Sequence, residues 1–192
     1  MKKVFTAIVL ACFALTAVGQ EHLKIKNIPI SGTVQSFKAK LRATGLQNNP
    51  IIPDGSVLKG SFAGMPDCNF IFGGSAQTNT VFRVAVLTDS YKSWEQLKSK
   101  YESLVDSYSK KYQQNDQVHY FSSPYKEGDG DEIQALCNEK CIYLTVFDAP
   151  GGTIAIEIKG MVNEGRIMIT YEDEQNFKKA KAENEKVVSD DI

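Results

Sequence analysis

Between Cys141 and Tyr171 the chain passes through three strand-like segments joined by turns too short to cross a sheet. Cys141 to Asp148 turns at Ala149-Pro150-Gly151-Gly152 into Thr153 to Lys159, and Gly160 to Gly165 turns again into Arg166 to Tyr171. A parallel connection needs about a dozen residues or more, so turns of this length force antiparallel neighbours. Ile154, Ile156 and Ile158 alternate with Thr153, Ala155 and Glu157. That period of two predicts one buried and one wetter sheet face.

A second run of strands precedes it. Val57 to Phe62 leads through Ala63-Gly64-Met65-Pro66-Asp67 into Cys68 to Phe72, and Gly73-Gly74-Ser75 turns the chain into Thr80 to Thr88. In that last strand Phe82, Val84 and Val86 oppose Val81, Arg83, Ala85 and Leu87. Only Arg83 interrupts the apolar character, a pattern that predicts protein on both faces.

Two helices frame these runs. Thr33 caps one whose inward face is Val34, Phe37 and Leu41, with Gly45 placed to end it. The other spans roughly 91–113 and carries Trp94, Leu97, Tyr101, Leu104, Val105 and Tyr108 as a helical stripe. Asp89 and Ser90 open it, with Ser93 and Gln96 as an alternative capping pair. A short strand at His22 to Ile25 starts the fold, and residues 115–140 look polar and irregular apart from Val118 to Phe121. Residues 174–192 read as a charged helix or tail.

The order β-α-βββ-α-βββ gives an α+β fold, predominantly antiparallel, with helices packed on the sheet. Residues 20–173 form one domain, with no internal repeat of matched motifs.

The N-terminus has the grammar of a secretory signal: Lys2 and Lys3, an apolar run from Val4 to Leu15, then Ala17-Val18-Gly19. A cut before Gln20 leaves 173 of the 192 residues. The run is shorter than the roughly 20 apolar residues a membrane span requires. Export to the periplasm or beyond the cell is the expectation. A lipid anchor at Cys12 is the alternative, opposed by Leu10 and by apolar residues continuing past the cysteine. Removing Lys2 and Lys3 leaves 20 basic against 23 acidic residues, a formal charge of −3. Nucleic-acid binding demands a basic stripe, and none is present.

Chemistry-bearing residues are sparse. Cys68, Cys137 and Cys141 survive processing, and export permits one bridge among them. Cys137 and Cys141 are favoured because a tight turn through Asn138-Glu139-Lys140 brings them together, with helix the poorer reading of that stretch. A zinc site lacks ligands, since the only histidines are His22 and His119. Cys141 or Cys137 with His119 supplies a nucleophile and base on paper, but no local motif supports the pair. The acidic cluster Glu127, Asp129, Asp131 and Glu132 fails calcium-loop grammar, because Ile133 stands where an oxygen ligand belongs. No cofactor motif appears. Tyr91 and Tyr112, near the ends of the long helix, are the candidate binding aromatics.

The chain resembles a family of exported proteins from gut Bacteroidetes bacteria with no assigned activity. The resemblance rests on Lys24-Ile25-Lys26-Asn27-Ile28-Pro29-Ile30-Ser31-Gly32-Thr33 leading to Phe37, Gly60-Ser61-Phe62-Ala63-Gly64 followed by Cys68, Trp94-x2-Leu97-x3-Tyr101, and Tyr171-Glu172-Asp173 with Asn176 beyond. The family often carries Gly and Pro after the long helix, where this chain has Lys111-Tyr112-Gln113-Gln114-Asn115. The resemblance implies export and transfers no catalytic residue. The expected function is a non-catalytic exported binding or interaction module, with an envelope protein or a glycan as partner. The alternative is a small hydrolase or thiol enzyme using Cys141 or Cys137 with His119.

Overall fold

A computed structural model describes residues 21–52 and 54–191. The signal segment, its cut site and Cys12 lie outside the described residues. The chain opens with a hairpin of β1 (Lys24–Ile25) and β2 (Ile28–Pro29), then α1 (Val34–Arg42), β3 (Gln47–Asn48), β4 (Leu58–Phe62), β5 (Met65–Gly74) and β6 (Val81–Leu87). It continues through α2 (Trp94–Ser109), β7 (Gln113–Phe121), α3 (Glu132–Cys137), β8 (Cys141–Ala149), β9 (Gly152–Met161), β10 (Glu164–Asp173) and α4 (Glu174–Asp191).

Eight strands form one antiparallel sheet in the order β3-β4-β5-β6-β10-β9-β8-β7. The fold is α+β with a C-terminal helix, as the sequence implied. The order has a symmetry that no motif announced. Each half of the chain sends four strands into the sheet behind a leading helix, with α3 inserted between β7 and β8 in the second half, and the last strands of the two halves, β6 and β10, pair at the centre.

Several elements differ from expectation, each for a physical reason. The predicted strand at His22 to Ile25 is a two-stranded hairpin turning at Lys26 and Asn27, both with positive φ. β7 is nine residues long, although its first four are polar, because it is an edge strand held by backbone pairing to β8. α3 was missed because six residues are too few for a helical period to show. α2 starts at Trp94, where the Ser93 hydroxyl accepts the Gln96 amide at 3.4 Å, so the alternative cap wins. The C-terminal segment is a helix.

Helices α1, α2 and α3 lie on one sheet face. Beneath them the cross-strand row Leu58–Phe70–Val86–Ile169–Ile156–Thr145 is fully buried. The α2 stripe seats on it: Leu97 and Tyr101 are fully buried, and Trp94 meets Tyr143 edge-on at 5.0 Å. Among the described residues no helix is long and apolar enough to cross a membrane.

A buried polar knot ties the termini to the sheet. Asp173 accepts the Leu23 amide at 2.9 Å and lies 3.0 Å from His22 Nδ1, while its other oxygen accepts the Asn176 amide at 2.9 Å. Asn176 donates to the carbonyls of Ile30 and Val81 at 2.8 and 2.9 Å. The N-terminal segment passes so close to the β8–β9 turn that a Cβ at Gly151 would sit 2.1 Å from the Glu21 carbonyl oxygen. Gly151 also has φ of +87°, so glycine is required there twice over.

Burial of the stripe sets the energetics of the core. Trp94→Ala and Leu104→Ala should each lower unfolding free energy by about 2–5 kcal/mol in a denaturant titration, through lost transfer energy and a residual cavity. Either variant unfolding at the wild-type midpoint would contradict the packing.

Candidate interaction surface

Antiparallel pairing aligns side chains across strands, so the second sheet face can be read row by row. One row runs Ile71–Ala85–Thr170–Ala155–Val146–Asp116 from β5 to β7. The next runs Asn69–Leu87–Met168–Glu157–Leu144–Val118. Apart from Asp116, Asn69 and Glu157, these residues are apolar or small, and all but Asp116 and Ile71 are half-buried. Ile71 is 43% exposed, and Tyr120, farther along β7, is 45% exposed. Leu87 and Ala85, which the sequence pattern placed under protein, carry no helix.

Charge brackets these rows. Toward the α4 end lies Arg83–Glu172–Thr153–Asp148. Arg83 Nε donates to Glu172 at 2.9 Å. Toward the other end Arg166 pairs across the strands with Lys159. Lys159 reaches back to Glu157 at 2.5 Å. Nη1 of Arg166 donates to the Thr88 carbonyl at 3.3 Å, Nη2 is 3.9 Å from Glu164, and the buried Nε has no hydrogen-bond partner among the described residues.

α4 touches this face only at its edge. A bulge at Phe82 turns that ring outward to meet Phe177 at 5.9 Å, and Phe177 adjoins Glu172 and Thr153. Farther along, Glu183 accepts the amides of Gln77 and Thr78 at 2.9 and 3.1 Å, which fixes α4 to the β5–β6 turn. The Ser75 and Thr78 hydroxyls, and after them these amides, hold its carboxyl down at about 2. Between helix and turn lies a cavity of about 670 Å³ lined in part by Phe82, Phe177, Ala180 and Val188.

The residues singled out in the sequence are scattered. Cys68, Cys137 and Cys141 are all free thiols, so the favoured 137–141 bridge is not formed. Cys137 closes helix α3, with its sulfur 4.0 Å from the Glu164 carbonyl, whereas Cys141 begins β8 and is buried opposite Phe121. Asn138-Glu139-Lys140 is the end of a helix and not a simple turn, which separates the two roles.

His119 lies on β7 and is exposed at its edge. Its Nε2 is 3.0 Å from the Tyr101 hydroxyl, and its ring stacks on Tyr143 at 4.3 Å. The Tyr101 hydroxyl continues to Thr145 at 2.6 Å, and Gln117 donates to Thr145 at 3.2 Å. Loss of solvent lowers the His119 pKa, more than the nearby Glu102 raises it. Among the described residues no hydrogen bond joins His119 to a cysteine or a carboxylate. Burial raises the Cys141 thiol to about 12, with Glu127 and Glu132 adding to the shift. A nucleophilic thiolate needs the opposite environment.

Tyr91 and Tyr112 sit beyond opposite ends of α2 and form no common platform. Tyr91 is bridged through its backbone to Gly165, with N–H···O distances of 2.8 and 2.9 Å. Tyr112 packs on Tyr108 at 6.0 Å and borders a cleft of about 350 Å³ with Lys24, Lys26 and Lys111.

The acidic loop is equally self-contained. Asp129 accepts the amides of Lys126 and Asp131 at 2.8 and 2.9 Å, and Glu132 accepts that of Gly128 at 2.8 Å. Glu127 is bonded to Lys98 at 2.5 Å and accepts from the Tyr143 hydroxyl at 3.2 Å. Among the described residues no three metal-ligating side chains converge.

No protein-family model matches the chain, and comparison with curated proteins and with solved structures finds no match.

The thiol environments predict a graded reactivity. In the folded protein at pH 8, half-exposed Cys137 should be alkylated first, with Cys68 and Cys141 protected by burial and by raised pKa values. Unfolding without reductant should then expose three free thiols to counting. Rapid labelling of Cys141 in the folded state would contradict the arrangement.

Proposed function

We propose that the protein is a non-catalytic, exported interaction module that holds a partner protein against the uncovered face of its sheet. The carrying observation is the pair of cross-strand rows through Ala85–Thr170–Ala155 and Leu87–Met168, apolar and bracketed by charge, with α1, α2 and α3 on the opposite face and α4 only at this one's edge. Contiguous exposed apolar surface rimmed by polar residues is the physical mark of a protein-binding site. The small residues along the first row let another surface approach the backbone closely. The signal-like N-terminus supports export to the periplasm or the cell exterior.

The thiol-enzyme alternative finds no matching geometry, because Cys141 is raised to about 12 and His119 is engaged with Tyr101. The tyrosine platform for a glycan is weakened by the separation of Tyr91 from Tyr112.

A photoreactive residue at Thr170, in protein expressed in its own cell, should cross-link to one discrete protein. The same residue at Ser99, on exposed helix α2, should not. Absence of a product from Thr170, or the same product from both sites, would contradict the reading.

A further inference from the structure

We infer that the partner on the uncovered sheet face is the same face of a second copy, related by a two-fold axis running across the strands. This rests on the reading of that face as the interaction surface, and it names the occupant. An isologous contact requires a self-complementary surface. On this face the charges are distributed that way. The end near α4 carries Glu172 and Asp148 beside Arg83, and the opposite end carries Arg166 and Lys159, the latter bonded to Glu157.

Rotation about an axis across the strands lays the first end of one copy over the second end of the other. Glu172 of each copy then faces Arg166 of its mate, and the two apolar rows face each other. Packed sheets hold their strands within about 30° of one another, which displaces the row ends by roughly one strand. That displacement carries Glu172 toward Lys159, the cross-strand neighbour of Arg166 and also a cation.

Two further observations favour this arrangement. Among the described residues Arg166 has no closely held carboxylate in its own chain: its Nη2 is 3.9 Å from Glu164. A facing Glu172 supplies one. The axis along the strands would instead set Glu172 against Arg83, a pair that each chain already makes internally. It would also bring both α4 helices to the same end, where Phe177 adjoins Glu172. The crosswise axis places the helices at opposite ends, each beside the other copy's basic row.

From β5 to β7 the face spans roughly 24 Å across strands and 20 Å along them. Its footprint of roughly 500 Å² falls short of the about 800 Å² per partner of a typical stable interface, so a concentration-dependent dimer is expected.

Sedimentation of the mature chain should show a shift from one copy to two as concentration rises. Ala85→Arg, which touches no ion pair and faces Leu87 of the other copy, should abolish the shift while keeping the wild-type circular dichroism and unfolding midpoint. Arg166→Glu and Glu172→Arg should each be monomeric alone, since each opposes like charges. Mixed in equal amounts they should regain the dimer mass, because every facing pair is then opposite in sign. A wild type that stays monomeric at all concentrations overturns the second copy, while Thr170 cross-linked to a different protein would leave the interaction face standing. A dimer indifferent to Ala85→Arg, or single variants that fail to recombine, also overturns it.

Discussion

Backbone pairing of β6 with β10 is the joint on which the rest of the structure depends. It runs from Arg83–Glu172 to Leu87–Met168 and welds two four-stranded units edge to edge. Each unit brings helices for one face. The welded sheet is eight strands wide, with α1, α2 and α3 all on the same side. α4 is held at the sheet's end by Asn176 and Glu183. The uncovered face thus follows from the topology, with no special sequence to mark it.

Magnitude decides what such a face can do. Covering roughly 500 Å² on each of two surfaces, much of it apolar, is worth roughly 15–25 kcal/mol gross at about 25 cal/mol per Å². Association costs about 4–15 kcal/mol or more in lost freedom, and polar groups such as Glu157 add desolvation. The surplus favours a partner without making the monomer unviable. The buried row from Leu58 to Thr145 keeps the domain folded whether or not the second face is occupied.

What was legible in the sequence was the part governed by local period. Ile154, Ile156 and Ile158 alternate because one face of β9 is buried, and the α2 stripe repeats because α2 seats on that same face. What stayed hidden is fixed at long range. β7 is polar at Gln113 to Asp116 and is held as a strand only by its partner β8. Arg83 and Glu172, 89 positions apart, are neighbours only once the strand order is known. Ala85 and Leu87 made β6 look doubly covered, since alternation reports a side chain's character but not whether a helix lies over it. The cysteines misled for a related reason: proximity in sequence put Cys137 and Cys141 together, while α3 sends one sulfur toward Glu164.

If the second sheet face is covered when the protein is at work, methionine oxidation shows it most directly. Met168 lies half-buried in the middle of that face, and Met161, 47% exposed at the β9–β10 turn, is an internal reference beyond the charged row of Lys159 and Arg166. Peroxide should oxidise Met161 equally in the native cell envelope and in dilute purified protein, with Met168 oxidising more slowly in the envelope. Equal oxidation of Met168 in both settings would show the face open in the cell and would contradict the account.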